Sequence, residues 1–185
     1  MKRLLASFLA GVAVLAVPAA ASADGFLSPY IGVNFGGDTL KKTTVYGGAL
    51  GFVGKSAGFE FDFGYTPEFF ADDTLDVDGK LVTVMGNVLF GGRHAGFSPY
   101  FALGGGLIRT KVTLLGDVAD LEAAKNSFGG NIGGGFFAGG KSVTVRADVR
   151  YFRAFNFDDG LGLNLDVIED TLGFWRGTVG VGLMW

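Results

Sequence analysis

Three observations in this 185-residue sequence predict an all-β fold, an eight-stranded antiparallel up-and-down β-barrel. Apolar residues alternate with small or polar ones at a period of two in segment after segment. The connections between segments are alternately short and long. Finally, 33 glycines stand beside 19 phenylalanines with only 4 prolines, a mixture that fits packed β structure better than a helical bundle.

In order, the strands are expected near residues 26–36, 44–54, 57–67, 80–91, 98–112, 127–139, 142–155 and 172–185. In the first, Ile31, Val33 and Phe35 alternate with Gly32 and Asn34. In the third, Phe59, Phe61, Phe63 and Tyr65 alternate with Glu60, Asp62 and Gly64. The fourth sets Val82, Val84 and Val88 against Thr83, Met85 and Asn87. The seventh sets Val143, Val145, Ala147, Val149 and Tyr151 against Thr144, Arg146, Asp148 and Arg150. The eighth sets Val179, Val181, Leu183 and Trp185 against Thr178, Gly180, Gly182 and Met184. Helical spacing would mix these sets. Turn signals delimit the second, fifth and sixth strands. Residues 54–56 and 139–141 read as tight turns and 91–96 as a moderate one, whereas 67–79, 115–126 and 156–171 are long and 36–43 intermediate. An even strand count puts both chain ends at the short-turn rim. Two similar openings, Phe26-Leu27-Ser28-Pro29-Tyr30 and Phe97-Ser98-Pro99-Tyr100, fall at that rim, where proline costs no ladder bond.

Ahead of the barrel, Lys2 and Arg3 precede an uncharged apolar stretch over 4–17, and Ala21-Ser22-Ala23 forms a small-residue cleavage site. Residues 1–23 therefore read as a cleaved secretory signal peptide, with 24–185 as one barrel domain. A stretch of 14 residues is too short to span a bilayer; a short amphipathic or anchoring helix is the alternative. Removing the signal leaves 13 basic residues against 18 acidic ones, which offers no footprint for nucleic acid. The absence of cysteine excludes a disulfide framework, a thiolate metal site and a lipid-modified N-terminal cysteine.

Alternation alone does not say which face looks outward, because a soluble binding barrel with an apolar lumen has the same period. Volume decides it. Eight strands enclose a lumen barely wide enough for side chains, and the apolar set is bulky while the other is largely Gly, Ala, Ser, Thr and Asn. The opposite orientation in a bilayer would place Arg146 and Arg150 in lipid, at roughly 2–4 kcal/mol each. The barrel is accordingly expected to be transmembrane, apolar face outward. Glu60 and Asp62 then point inward from the third strand, opposite Arg146, Asp148 and Arg150 on the seventh, with Arg176 sharing the inward parity on the eighth. Buried charges persist only when paired, so these six are expected to form a lumen network of salt bridges and hydrogen bonds.

Phe26, Phe97, Tyr100 and Trp185 at one end, and Phe69, Phe70, Phe155, Phe157 and Trp175 at the other, are expected to form interfacial aromatic girdles. Lys55, Arg93 and Lys141 in the short turns suit lipid phosphates, and the long connections are acidic, suited to solvent or to divalent-cation bridges with lipopolysaccharide. Asp76-Val77-Asp78-Gly79 matches the middle of a calcium loop, but Thr74 and Met85 occupy its first and twelfth positions. His94, the only histidine, sits in a short turn with no arguable partner, and no phosphate loop, nucleophile elbow or zinc spacing occurs. The sequence thus gives no sign of an enzyme and calls for no metal and no cofactor.

On these residues the chain resembles the small outer-membrane β-barrel proteins, the porin-like group that includes the OmpA transmembrane domain, OmpX and OmpW. The most specific likeness is the end, where Thr178, Gly180, Leu183 and Trp185 are similar to the C-terminal assembly signal of that family, with Trp185 in place of the commoner Phe. The resemblance implies a location in the outer membrane of a Gram-negative cell, reached through the periplasm. It implies contact with outer-membrane lipid and lipopolysaccharide, recognition by the barrel-assembly machinery and a monomer; because the sequence stops at the last expected strand, no appended peptidoglycan-binding domain is expected. For function it leaves a structural or surface-interaction barrel with a plugged lumen, or a narrow porin-like channel or hydrophobic-solute carrier.

Overall fold

The computed structural model describes residues 23–39, 41–69, 77–91, 96–114, 121–155 and 172–185. Eight strands run in chain order: β1 (Asp24–Phe35), β2 (Thr43–Val53), β3 (Ala57–Thr66), β4 (Val77–Phe90), β5 (Gly96–Leu114), β6 (Leu121–Gly139), β7 (Val143–Phe155) and β8 (Gly173–Met184). Each pairs antiparallel with the next, and β8 returns to β1, so the sheet closes without an edge. At the seam, Gly25 N–H donates to the Trp185 carbonyl at 3.0 Å and Trp185 N–H to the Gly25 carbonyl at 3.1 Å.

The register fixes the size of the barrel. Paired residues followed round the ring from Asp24 run through Val53, Gly58, Leu89, Ala102, Gly133, Arg150 and Arg176 and come back to β1 at Asn34, a stagger of ten residues. With about 3.3 Å per residue and about 4.7 Å between strands, this gives a tilt of roughly 41° and a backbone radius of roughly 8 Å. Side chains must fill such an interior.

They do so in layers. Phe61, Phe63, Val145, Val149, Val179 and Val181 look outward and are exposed, whereas Glu60, Asp62, Arg146, Asp148, Arg150 and Arg176 look inward and are buried. Toward the short-turn end the lumen holds an apolar cluster that includes Phe26, Leu89, Tyr100, Phe137 and Met184. Toward the other end lies a second, formed by Phe69, Leu81, Met85, Ile108, Phe152 and Phe174, with Leu172 against it. The charged groups occupy the space between.

Two expectations need correction. Phe26 and Tyr100 are not girdle residues: they turn into the lumen at 0% and 7% exposure, and Phe69, at 1%, packs against Phe174. Their places in the register, not their residue type, decide this; Tyr100 shares the parity of Ser98 and Ala102. Phe97, Phe155, Trp175 and Trp185 do lie on the outer face. Half of the connection expected over 115–126 is also strand, since β6 begins at Leu121. Arg109 pairs with Asn126, Thr110 with Lys125 and Lys111 with Ala124, so β5 and β6 continue as a ladder and only 115–120 remain between them. Lys125 and Asn126, of opposite parity, are both exposed, so these two residues show none of the in-and-out alternation that marks a half-buried strand. The signal region 1–22, Phe70, Phe157, His94, Arg93 and most of the acidic loop residues lie outside the described residues.

Glycine has positional meaning at two points. Gly37, at φ +64°, turns the chain after β1 where a Cβ would strike the Gly173 carbonyl; next to it, Asp38 N–H donates to that carbonyl at 2.8 Å and Gly173 N–H to the Asp38 carboxylate at 2.6 Å. Gly104 faces inward where a Cβ would overlap the Asn87 amide oxygen. Replacing Gly104 by Val should therefore cost about 1–3 kcal/mol of overpacking, read as a lower urea midpoint for unfolding of the refolded barrel; an unchanged midpoint would contradict this packing.

Candidate functional site

Three carboxylates and three guanidiniums meet in the lumen, a formal charge of zero among the described inward residues of the strand interiors: Glu60, Asp62 and Asp148 against Arg146, Arg150 and Arg176. β3 carries two of the acids and β7 two of the arginines. Four strands apart in a ring of eight, they reach each other across the barrel. Glu60 bridges the two arginines, Oε2 to Arg146 Nη2 at 2.6 Å and Oε1 to Arg150 Nη1 at 2.7 Å. Asp148 Oδ2 lies 2.9 Å from Arg146 Nη2 and 3.2 Å from Arg150 Nη2, and accepts the Tyr100 hydroxyl at 2.7 Å. Its Oδ1 accepts from Thr178 at 3.1 Å. The remaining faces of Arg146 are apolar: its guanidinium carbon lies 5.3 to 5.6 Å from the ring centres of Phe137, Tyr100 and Phe26.

A neutral ladder extends this cluster along the wall. Asn87 donates to Glu60 Oε1 at 2.8 Å, and Asn131 donates to the Asn87 oxygen at 2.7 Å, reaching past Gly104, which stands between them in the register. Gly133 and Gly135 keep β6 bare where Arg150, Asp148 and Tyr100 need room. Toward the long-loop end, Arg176 forms a second, looser group. Its Nε donates to the Asn34 oxygen at 2.9 Å, and Nη1 donates to Thr83 at 2.9 Å and lies 3.9 Å from Asp62. Asn34 in turn donates to Thr66 at 2.8 Å. The Arg176 guanidinium also lies over Phe152, 4.4 Å from its ring centre.

The structure thus brings Glu60, Arg146, Asp148 and Arg150 into one cluster and sets Asp62 with Arg176 in another. Sequence reasoning missed Tyr100, Asn87, Asn131, Asn34 and Thr83, although each has the inward parity of its strand. Of the C-terminal residues, Thr178 faces the lumen, Gly180 packs against Tyr30 where a Cβ would collide with the Pro29 carbonyl, and Leu183 and Trp185 face outward. Ala23 precedes β1, and Ala21 lies outside the described residues. No group of three metal-ligating side chains occurs among the described residues. Chemically, the arrangement neutralises charge and fills space.

No protein-family model and no curated protein matches the chain. Among solved structures it is similar to the N-terminal β-barrel domain of Pseudomonas aeruginosa OprF, at 17% identity and TM-score 0.56, covering 89% of this chain and 98% of that one. It is similar to Neisserial surface protein A at 13% and 0.59, covering 87% and 95%. The attachment invasion locus protein Ail of Yersinia pestis, solved with the heparin analogue sucrose octasulfate, is similar at 16% and 0.58, covering 89% and 99%. At these identities the likeness is one of fold: the closed all-β barrel of the small outer-membrane proteins.

Removing one member of a buried ion pair leaves the other uncompensated. Glu60→Ala and Arg146→Ala should each lower unfolding free energy by about 3–5 kcal/mol, while the double variant should lose clearly less than the sum. Urea titration followed by tryptophan emission measures this cycle, and strict additivity would show that the pair is not coupled.

Proposed function

We propose that this chain is an integral outer-membrane barrel, exported with removal of residues 1–23, whose lumen is closed by the charged layer and whose role is structural and surface-interacting. The observation that carries the reading is the inverted burial pattern: Phe61, at 61% exposure, faces out from the same strand on which Glu60, at 0%, faces in. Water would reverse that arrangement; hydrocarbon rewards it. A second line of support comes from the contents of the lumen. Two apolar clusters and a neutral ionic layer fill an interior only roughly 8 Å in backbone radius, which favours a plugged barrel over a narrow porin-like channel or a hydrophobic-solute carrier.

The surface-interaction part draws on the neighbours. One is named a surface protein and another an attachment protein that holds a sulfated sugar, and both share this barrel. Lipopolysaccharide and outer-membrane lipid are the expected surroundings, the barrel-assembly machinery the expected partner in biogenesis through Thr178, Gly180, Leu183 and Trp185, and a monomer the expected state.

Refolded protein should migrate differently on a denaturing gel before and after boiling, and should give no discrete conductance steps in a planar bilayer. Loss of the heat-dependent shift, together with solubility in plain buffer, would overturn the membrane reading; discrete steps would overturn the closed lumen. Chain recovered from outer membranes should begin at Asp24 by intact mass, and a chain retaining Lys2 and Arg3 there would refute the assigned cleavage.

A further inference from the structure

The outer face of the barrel carries its own charge pattern, separate from the lumen. Among the described side chains, four charged residues occupy outward positions on the strands: Lys80 on β4, Arg109 and Lys111 on β5, and Arg153 on β7. All four are basic, and all lie toward the long-loop end.

Their heights share a cause. Outward positions on β5 run apolar or glycine from Phe97 to Leu107 before reaching Arg109. On β4 they run from Phe90 to Val82 before Lys80, and on β7 from Val143 to Tyr151 before Arg153. At a tilt of roughly 41°, these runs rise roughly 20–25 Å, about the height of the apolar band of a membrane barrel. The first cation on each strand therefore sits at the upper edge of that band, level with lipid headgroups.

Their lateral placement is uneven. Lys80 pairs directly with Lys111, and the neighbouring pair places Arg109 beside Val82, so three cations crowd two adjacent strands. Arg153 stands across β6, opposite Gly130, which is in turn opposite Gly105; the rings of Phe128 and Phe155 lie over these two glycines and complete the apolar wall below Arg109. The outward faces of β1, β2, β3 and β8 carry no charged side chain among the described residues. This is a one-sided patch, not a belt.

We propose that Lys80, Arg109, Lys111 and Arg153 form a binding site for the phosphate groups of an anionic lipid in the leaflet next to the long loops, held against the β4–β7 side of the barrel. The inference rests on the membrane reading above and deepens it. The lysines supply point charges, the arginines forked donors that match phosphate oxygens, and the aliphatic stems lie along the apolar wall while their heads reach the interface. The spread from Arg109 to Arg153 across two strand spacings suits a headgroup with more than one phosphate.

The test uses the refolded chain in phosphatidylcholine vesicles, alone or doped with a bis-phosphorylated glycolipid, with its dephosphorylated form, or with inorganic phosphate added to the buffer. The readout is the temperature at which the folded gel band is lost. The phosphorylated glycolipid should raise it by roughly 5 °C or more, the dephosphorylated form and free phosphate should not, and the gain should vanish in K80Q/R109Q/K111Q/R153Q. The pair R109Q/K111Q and the single R153Q, each expected to lose part of the gain, keep the test decisive if the quadruple variant does not fold. An equal gain in wild type and variants would overturn the site. An equal gain from free phosphate would replace the lipid with a small anion and overturn the assignment. A wild-type chain with no folded band even in phosphatidylcholine would instead overturn the membrane reading on which the site depends.

Discussion

Closure of an eight-stranded ring at a stagger of ten residues constrains everything else in this molecule. The ring pairs each strand with a neighbour on both sides, which permits an apolar exterior without unpaired backbone groups facing it within the closed part of the barrel. It also fixes an interior too narrow for a channel of bulk water and too wide to be filled by glycine, serine and alanine alone. The inward positions must therefore divide their labour. Some are bare, so that opposing side chains have somewhere to go, and some are long enough to cross the axis.

The ionic layer is the answer at mid-height, and its composition follows from its surroundings. Between two apolar clusters the local dielectric is low, so any excess charge would be costly. Three acids against three arginines meet that condition, and arginine supplies the forked geometry that lets one Glu60 carboxylate satisfy two partners. Asp148 is held from four directions, by Arg146, Arg150, Tyr100 and Thr178, and so acts as the hub. Apolar packing of equal volume could fill the same space. What the ion pairs add is direction, because each guanidinium accepts only one arrangement of its neighbours.

Much of this was legible in the residues. Period-two alternation is a property of the pleat, so strand number, the inward parity of Glu60, Asp62, Arg146, Asp148, Arg150 and Arg176, and the outward parity of the valines on β7 could be read directly. What was missed has more than one physical cause. Near strand ends, residue type suggested a girdle for Phe26, Tyr100 and Phe69, whereas the register turns Phe26 and Tyr100 inward and Phe69, past the end of β3, packs onto Phe174. On the β5–β6 extension, Lys125 and Asn126 are exposed on opposite faces, so the alternation that marks a strand is missing there although the pairing continues. The asparagines failed for a different reason: their value lies in reaching one another past Gly104, a contact that depends on neighbours in space and leaves no periodic trace.

The reach of the ionic layer across the lumen bears on how the molecule is made. Glu60 and Arg150 stand 90 residues apart in sequence and on opposite walls, so neither meets its partner until the later strands are in place. A half-built sheet would carry bare carboxylates on its concave side, and hydrocarbon would not tolerate them. Glu60 meets Arg146 and Arg150 only once β7 stands in the ring, and the ring itself closes only when β8 reaches β1.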